Sequence, residues 1–356
     1  MRVGLTLYGS LDDQSGGFRY DRRLVEGLRD AGDTVEVIEL PRRQYARGLL
    51  DNLSSSLRDR LAVDVDVMLQ DELAHPSLVR ANRDLPYPVV SVVHHLRASE
   101  GRHLTGLYRA VERRYLGSVD AAVCNSTATR TAVTETGGPP DGRTVVAPPA
   151  GDRFDPDIDA ATIESRAHEG PLRVAFVGNI EPRKGLDTLV DGLAEVDEPW
   201  ELTVVGRAEN PTYVQTVENG IARSGAGDRI DLRGRLADDE LAAVLRRSHV
   251  LAIPARHEGF GIAYLEGMSF GLPAVASAAG GARDFVTPGE TGALVEPDSP
   301  ESVRRVLGAL ARDRDRLAQM GQAARERYEA HPDWSETTAR VQAFLQTVAD
   351  DRRAAG

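Results

Sequence analysis

Cysteine, lysine and long apolar runs are almost or wholly missing from this 356-residue chain. One cysteine, Cys124, excludes an internal disulfide framework and any multi-cysteine metal site. It lies in VDAAVCNS, an apolar strand-like run, and reads as buried filler rather than a nucleophile. No stretch approaches the ~18 apolar residues of a membrane span. Residues 1–7, MRVGLTL, are too short for a signal peptide and read as a first strand, so a cytoplasmic protein is expected. Basic character is missing too: a formal net charge of −12 leaves no basic face for nucleic acid. The dinucleotide fingerprint G-x-G-x-x-G and the Walker A loop are absent. No His, Asp or Glu set has metal-ligand spacing, so neither a metal nor a bound cofactor is expected.

The shortage of lysine is the most pointed. Of 43 cationic residues only Lys184, in IEPRKGLD (180–187), is not arginine. An acidic, arginine-rich chain suits a salt-rich cytoplasm, where screening tolerates self-repulsion. A high-GC genome favours arginine by codon content alone. Neither accounts for the position of the one lysine.

What is present is a twice-repeated alternation of strand and helix. Apolar runs at 2–7, 34–40, 64–70, 88–95, 120–126 and 143–149 read as strands. Helical periodicity separates most of them, as at 17–31, 103–116 and 127–136. A second series runs 172–179, 201–207, 229–235, 249–255, 273–278 and 292–297, with helices at 185–195, 211–224, 237–247 and 261–270. Two further helices are expected over 299–329, and a last one from 334. This alternation implies two parallel, doubly wound α/β sheets. The expected organisation is a Rossmann-like domain over 1–150, completed by the terminal helix 334–356, a Pro/Gly/Asp-rich linker over 151–170, and a second Rossmann-like domain over 171–333. Ligands of such sheets lie beyond the carboxyl ends of the strands, here in a central cleft that two facing sheets would form.

The chemistry concentrates in ARHEGFGIAYLEGMSFGLPAVAS (255–277). A helix opening after Gly259-Phe260-Gly261 offers free N–H groups and the positive end of its dipole to an anion. Glu258 stands in the turn and Glu266 one to two turns along. Carboxylates accept paired hydrogen bonds from vicinal hydroxyls, so this spacing suits a nucleotide sugar: one glutamate per sugar and backbone N–H groups for the diphosphate.

The E-x7-E of EGFGIAYLE, the G-L-P after it and the Gly280-Gly281 turn resemble the retaining glycosyltransferases of family 4, the glycosyl transferases group 1, which have the GT-B fold. The resemblance covers nearly the whole chain: AFVGNIEPRKGLDTLVDGL (175–193), APPAGDRFDP (147–156) and SGGF (15–18) match further family segments in order. It implies that Glu258 contacts the transferred sugar, Glu266 the ribose and Lys184 the donor diphosphate, with Arg183 assisting. Backbone N–H groups around Gly259, Phe260, Gly261 and Ile262 would complete the phosphate cradle. Gly16 and Gly17 would let the first domain approach the substrates. A strand-end histidine near the reacting centre points to His94, with His95 as the alternative. One departure stands out: Asn179 occupies the place of a phosphate-binding arginine, which leaves Arg183, Arg207 or Arg256 to supply that charge.

The resemblance implies transfer from a nucleoside diphosphate sugar to a hydroxyl of a glycan or lipid-linked acceptor, without a metal and with retained configuration. Rival readings on the same architecture are a nucleotide-sugar epimerase, a phosphorylase and a non-catalytic sensor. Residues 41–61 carry Leu49, Leu50, Leu53, Leu57 and Leu61 on one helical stripe beside five arginines. Packing on the sheet is the expected role of that stripe, and peripheral contact with the inner face of a membrane the alternative.

Overall fold

Parallel strands need a crossover each, and the helices that supply those crossovers cover both faces of each sheet. The computed structural model of the chain describes residues 1–13, 15–100 and 105–355. They divide into two units, Met1–Ala150 with Pro332–Gly356, and Gly151–His331. The part of the expected helix 103–116 that precedes Thr105 lies outside the described residues; the rest forms the helix Thr105–Leu116.

In the first unit β1 (Arg2–Tyr8), β2 (Thr34–Leu40), β3 (Val67–Asp71), β4 (Val89–Val93), β5 (Ala121–Cys124) and β6 (Thr144–Val146) form one parallel sheet in the order β2-β1-β3-β4-β5-β6. Alternation sorts its side chains. Val3, Leu5, Leu7, Leu69, Val90, Val92 and Val123 face a core with the helix Gly16–Asp30 and the terminal helix Trp334–Ala355. Met68, Val89, Val93 and Cys124 face the other core, with Leu57, Leu61 and Tyr115. The terminal helix belongs to this unit because Val341, Leu345 and Val348 are buried in it. Gln342 Nε2 also donates to Asp33 Oδ2 at 2.7 Å.

The second unit has β7 (Leu172–Val177), β8 (Trp200–Val205), β9 (Ile230–Gly234), β10 (Val250–Ile253), β11 (Ala274–Ser277) and β12 (Gly292–Val295), in the order β12-β11-β10-β7-β8-β9. From β7 the chain winds outward through β8 and β9, then returns to start the other half at β10. The carboxyl ends of β7 and β10 therefore flank the switch point of the sheet, where doubly wound folds leave a crevice. The switch point of the first sheet lies between β1 and β3.

Two expectations need correcting. The stretch 151–170 is not a plain linker. It contains the helix Ala160–Ala167, capped by Asp159, whose Oδ1 accepts from Thr162 N at 2.8 Å. Buried Ile163 meets Gly271 and Gly321, so the stretch is part of the second unit. The periodicity of 41–61 is not one helix either. It forms Tyr45–Asp51 and Ser55–Leu61, and Asn52 ends the first by donating to Leu49 O at 3.1 Å and to Pro76 O at 2.6 Å. A side-chain amide that competes for backbone acceptors in this way breaks a helix despite a favourable pattern. Leu57 and Leu61 are buried by the break, while Leu50 and Leu53 stay 64% and 75% exposed.

Candidate active site

At the β7 end the chain turns through Gly178–Glu181 into a short 3-10 turn, Pro182–Lys184, and then the helix Leu186–Ala194. At the β10 end it passes through Pro254–Gly261 into the helix Ile262–Ser269. A backbone bond joins the two loops, Arg256 N donating to Arg183 O at 2.8 Å, and Gly281 N, from the turn after β11, donates to Glu258 O at 3.0 Å. This framework brings Lys184 and Glu258, 74 residues apart, into contact. Lys184 Nζ lies 2.5 Å from Glu258 Oε2, and Arg183 Nη1 lies 3.4 Å from the same oxygen. Arg183 also pairs with Glu181 at 2.8 Å. All three side chains at the Glu258 centre are mostly shielded from water, which strengthens the pairing.

The loop from Glu258 into its helix depends on Gly261. Its φ is +96°, and a Cβ there would stand 2.4 Å from the Tyr264 ring. The following Ile262 opens the helix, so the first N–H groups have no intrahelical partner and the positive dipole end faces the loop. Phe260 does not point into this space. Its ring is buried against Phe285, with centroids 4.9 Å apart, and leaves the backbone as its contribution. Gly259 is buried in the turn. Glu266 lies within the helix and is buried, with Oε2 3.6 Å from Arg153 Nη1. Arg153 itself is anchored by Asp238 at 2.6 Å.

A second cluster forms in the first unit. Gly16 and Gly17 are not in a loop but open the helix Gly16–Asp30, whose cap Ser15 accepts from Phe18 N at 3.3 Å. His94 follows β4 and is buried, with Nε2 3.2 Å from Asp21 Oδ1. Its N–H donates to Glu72 Oε2 at 2.9 Å, and its carbonyl accepts from Asn125 Nδ2 at 2.8 Å. Between the two histidines of the expectation, the structure buries His94 and leaves His95 half-buried. Asp21, Asp71 and His94 bring their ligand-type atoms within 4.8 Å of one another, a juxtaposition that spacing along the chain could not show. The imidazole already occupies the nearest oxygen of Asp21.

Residues 157–327 match the family model described as glycosyl transferases group 1, and residues 11–150 match a glycosyl transferase 4-like domain. A GDP-mannose-dependent alpha-(1-6)-phosphatidylinositol monomannoside mannosyltransferase of Mycobacterium tuberculosis is 32% identical over 251 residues, 67% of this chain and 64% of that protein. The chain belongs to the group 1 glycosyltransferases. A D-inositol 3-phosphate glycosyltransferase of Corynebacterium aurimucosum is 30% identical over 68% of this chain and 62% of its own length. The chain thus spans less than two thirds of the length of these relatives. Among solved structures, sucrose-phosphate synthase of Thermosynechococcus elongatus superposes with a TM-score of 0.83 at 20% identity, covering 98% of this chain and 99% of that one. Anabaena HepE in complex with UDP and glucose gives 0.79 at 19% identity, over 98% of this chain and 100% of HepE. These likenesses agree with a fold of two Rossmann-like domains, the GT-B architecture.

Within this group 1 chain, the place left by Asn179 has three candidate arginines. Asn179 is exposed. Arg207 is largely in solvent, 3.8 Å from Glu209. Arg256 is committed to structure: it bonds Asp298 at 2.6 Å and Asp187 at 3.3 Å, and donates to Pro182 O. Only Arg183 shares an oxygen with Lys184. Sequence reasoning missed Arg153, Asp21, Asp71 and Glu72. The alternation at 64–70 places the β3 end near Asp71, but nothing in a one-dimensional pattern pairs it with Asp21.

Proposed function

We propose that this chain is a retaining glycosyltransferase that moves a sugar from a nucleoside diphosphate sugar to a hydroxyl acceptor without a metal. The observation that carries this reading is the pairing of Lys184 and Arg183 with Glu258 beside the N-terminus of the helix Ile262–Ser269, at the switch point of the second sheet. Two cations and a helix dipole suit a diphosphate leaving group, whose developing charge is the main barrier as the C1–O bond breaks. In the absence of donor the cations rest on Glu258. An arriving diphosphate competes for them and releases the Glu258 carboxylate to accept from sugar hydroxyls. Glu266, buried within the helix, is the ribose acceptor in this reading, with Arg153 Nη1 3.6 Å from its carboxylate. The transferred sugar arrives already bonded to its leaving group, the nucleoside diphosphate, so this reading calls for no bound cofactor.

The relatives' names carry GDP-mannose, phosphatidylinositol monomannoside and D-inositol 3-phosphate, and the HepE structures hold UDP. A donor screen therefore spans UDP-, GDP- and ADP-sugars, followed by release of nucleoside diphosphate with candidate glycan and lipid-linked acceptors. The reading requires release that persists in EDTA and a product whose anomeric configuration, read by NMR coupling, matches the donor. Inversion, or release abolished by EDTA and restored by Mg²⁺, would sink the corresponding part.

Among the described residues no helix is long and apolar enough to cross a membrane. Peripheral contact is the reading for Leu50 and Leu53, which stand exposed in a segment that also carries Arg42, paired with Asp13, and Arg43, paired with Asp51. Apolar tips flanked by cations suit an anionic lipid surface. Co-sedimentation with phosphatidylglycerol vesicles is expected, and a Leu50→Ser/Leu53→Ser variant is expected to lose at least half of it. Equal sedimentation of the two proteins would remove the membrane role.

A further inference from the structure

The cluster around His94 contains a carboxylate for which donor chemistry has no use. Asp21 lies one turn after Gly17 on the helix Gly16–Asp30 and is fully buried. Its Oδ1 meets His94 Nε2, and its Oδ2 is buried without a hydrogen-bond partner. Asp71 and Glu72, from the end of β3, are buried against the same histidine and each keeps one oxygen without a partner. No arginine or lysine forms an ion pair with these three acids among the described residues. Buried carboxylates are expensive unless a positive charge balances them, and among the described residues His94 is the ion-pair partner they have.

We propose that Asp21 is a positioning residue that holds His94 as a fixed imidazolium and turns its Nδ1–H, rather than a basic lone pair, toward substrate at the carboxyl edge of the first sheet. This assignment rests on the glycosyltransferase reading only for what the proton donor serves. Nδ1 has no hydrogen-bond partner among the described residues and is not among the buried unpartnered atoms. The ring also stands edge-on to Tyr20, with centroids 5.2 Å apart, which fixes its plane. Burial by itself would lower the histidine, but Glu72, Asp21 and Asp71 outweigh it and lift His94 to about 10. Asp71 moves well above the usual carboxylate range, through burial and then repulsion from Asp21 and Glu72. The charged groups facing the ring are thus Asp21 from the first helix and Asp71 and Glu72 from the β3 end. Asn125, after β5, is neutral.

Gly17 completes the device. A Cβ there would stand 3.1 Å from His94 Cδ2 and 3.4 Å from Nε2, so any side chain at that position would press the ring away by a few tenths of an ångström. A general base at His94 needs the neutral ring near pH 7; a cationic donor needs the opposite. The two roles therefore separate experimentally.

Nitrogen-15 correlation spectra of the full chain from about pH 5 to 9 test the charge directly. The expected result is a doubly protonated His94 ring through pH 8, with a midpoint at least about one unit lower in Asp21→Asn. A His94 that is neutral at pH 7, or that titrates alike in both proteins, overturns the proposal whatever the enzyme's activity proves to be. With a donor and acceptor from the screen, Asp21→Asn is expected to lower kcat about tenfold while donor KM stays within about twofold. His94→Gln, which keeps an N–H donor, should retain several times the turnover of His94→Ala. Equal loss in those two variants, or a kcat that rises with pH through about 6.5, means a base and overturns the proposal. If Asp21→Asn does not fold, Gly17→Ala displaces the ring with the carboxylate in place, and the same drop in midpoint is required.

Discussion

Before any substrate arrives, the only ammonium among the chain's side chains has a counter-ion. Lys184 sits 2.5 Å from Glu258, and Arg183 reaches the same oxygen. A compact, rotatable ammonium can pass from a carboxylate to a diphosphate oxygen with little rearrangement, whereas a guanidinium binds through a fixed planar fork. Lys184→Arg is therefore expected to lose at least about tenfold in turnover with thermal stability nearly unchanged. Wild-type kinetics in that variant would mean that the lone lysine is compositional drift. Glu258→Gln removes the competing charge. Titration calorimetry should find nucleoside diphosphate bound more tightly by this variant, while transfer falls on the proposal that Glu258 contacts the sugar. The family resemblance of their two motifs implied that Lys184 and Glu258 share one site. It did not show that they neutralise each other, since that depends on the lateral pairing of β7 with β10.

Among the elements, the helix Ile262–Ser269 depends most on a single backbone angle. Gly261 holds φ at +96° where a Cβ would collide with Tyr264, and the Tyr264 hydroxyl donates to Ile253 O at 2.5 Å, tying the helix to β10. Gly261→Ala is expected to cost about 2 kcal/mol or more, read by urea denaturation, because strain and clash act together. A smaller loss would mean that the loop relaxes without moving the helix. All twelve strands were expected near their observed places: the inner strands, buried on both faces, leave unbroken hydrophobic signatures, while the edge strands β2 and β9 are partly or largely exposed and carry charged residues. A helix and a helix break were not. The helix Ala160–Ala167 hides in a Pro/Asp-rich stretch because Ile163 and Ala167, rather than a full apolar face, carry its packing. The break at Asn52 is invisible to periodicity because a side-chain amide makes it.

Over the whole molecule, acid and alkali act on different histidines. His249 is buried in the second unit, where Nδ1 accepts from Arg173 N at 3.0 Å. Burial first, then Arg173 and Arg314, push it down to about 3. His75, in the first unit, is lowered to about 4 by burial. A histidine with a depressed folded value is protonated more readily when unfolded, so stability falls as pH drops below the ordinary value near 6.5. His94 has the opposite sign: its stabilisation is present below about 6.5 and is lost as pH rises toward its folded value of about 10. The chain has two tryptophans, Trp200 in the second unit and Trp334 in the first, so each unit can report separately. In a Trp334→Phe background, Trp200 fluorescence should show the second unit losing about 1 kcal/mol per pH unit below pH 6, with His249→Gln flattening the slope. An unchanged slope would clear His249. The sequence by itself determined the two α/β units, their strands, the family and the motifs that carry Lys184, Glu258 and Glu266, because hydrophobic period and short motifs are local. Only the tertiary structure decided that Glu258 rests on Lys184, that Arg183 rather than Arg256 stands beside them, and that Asp21 grips His94. Those pairings join residues dozens of positions apart, and sheet order and burial, not spacing, bring them within reach.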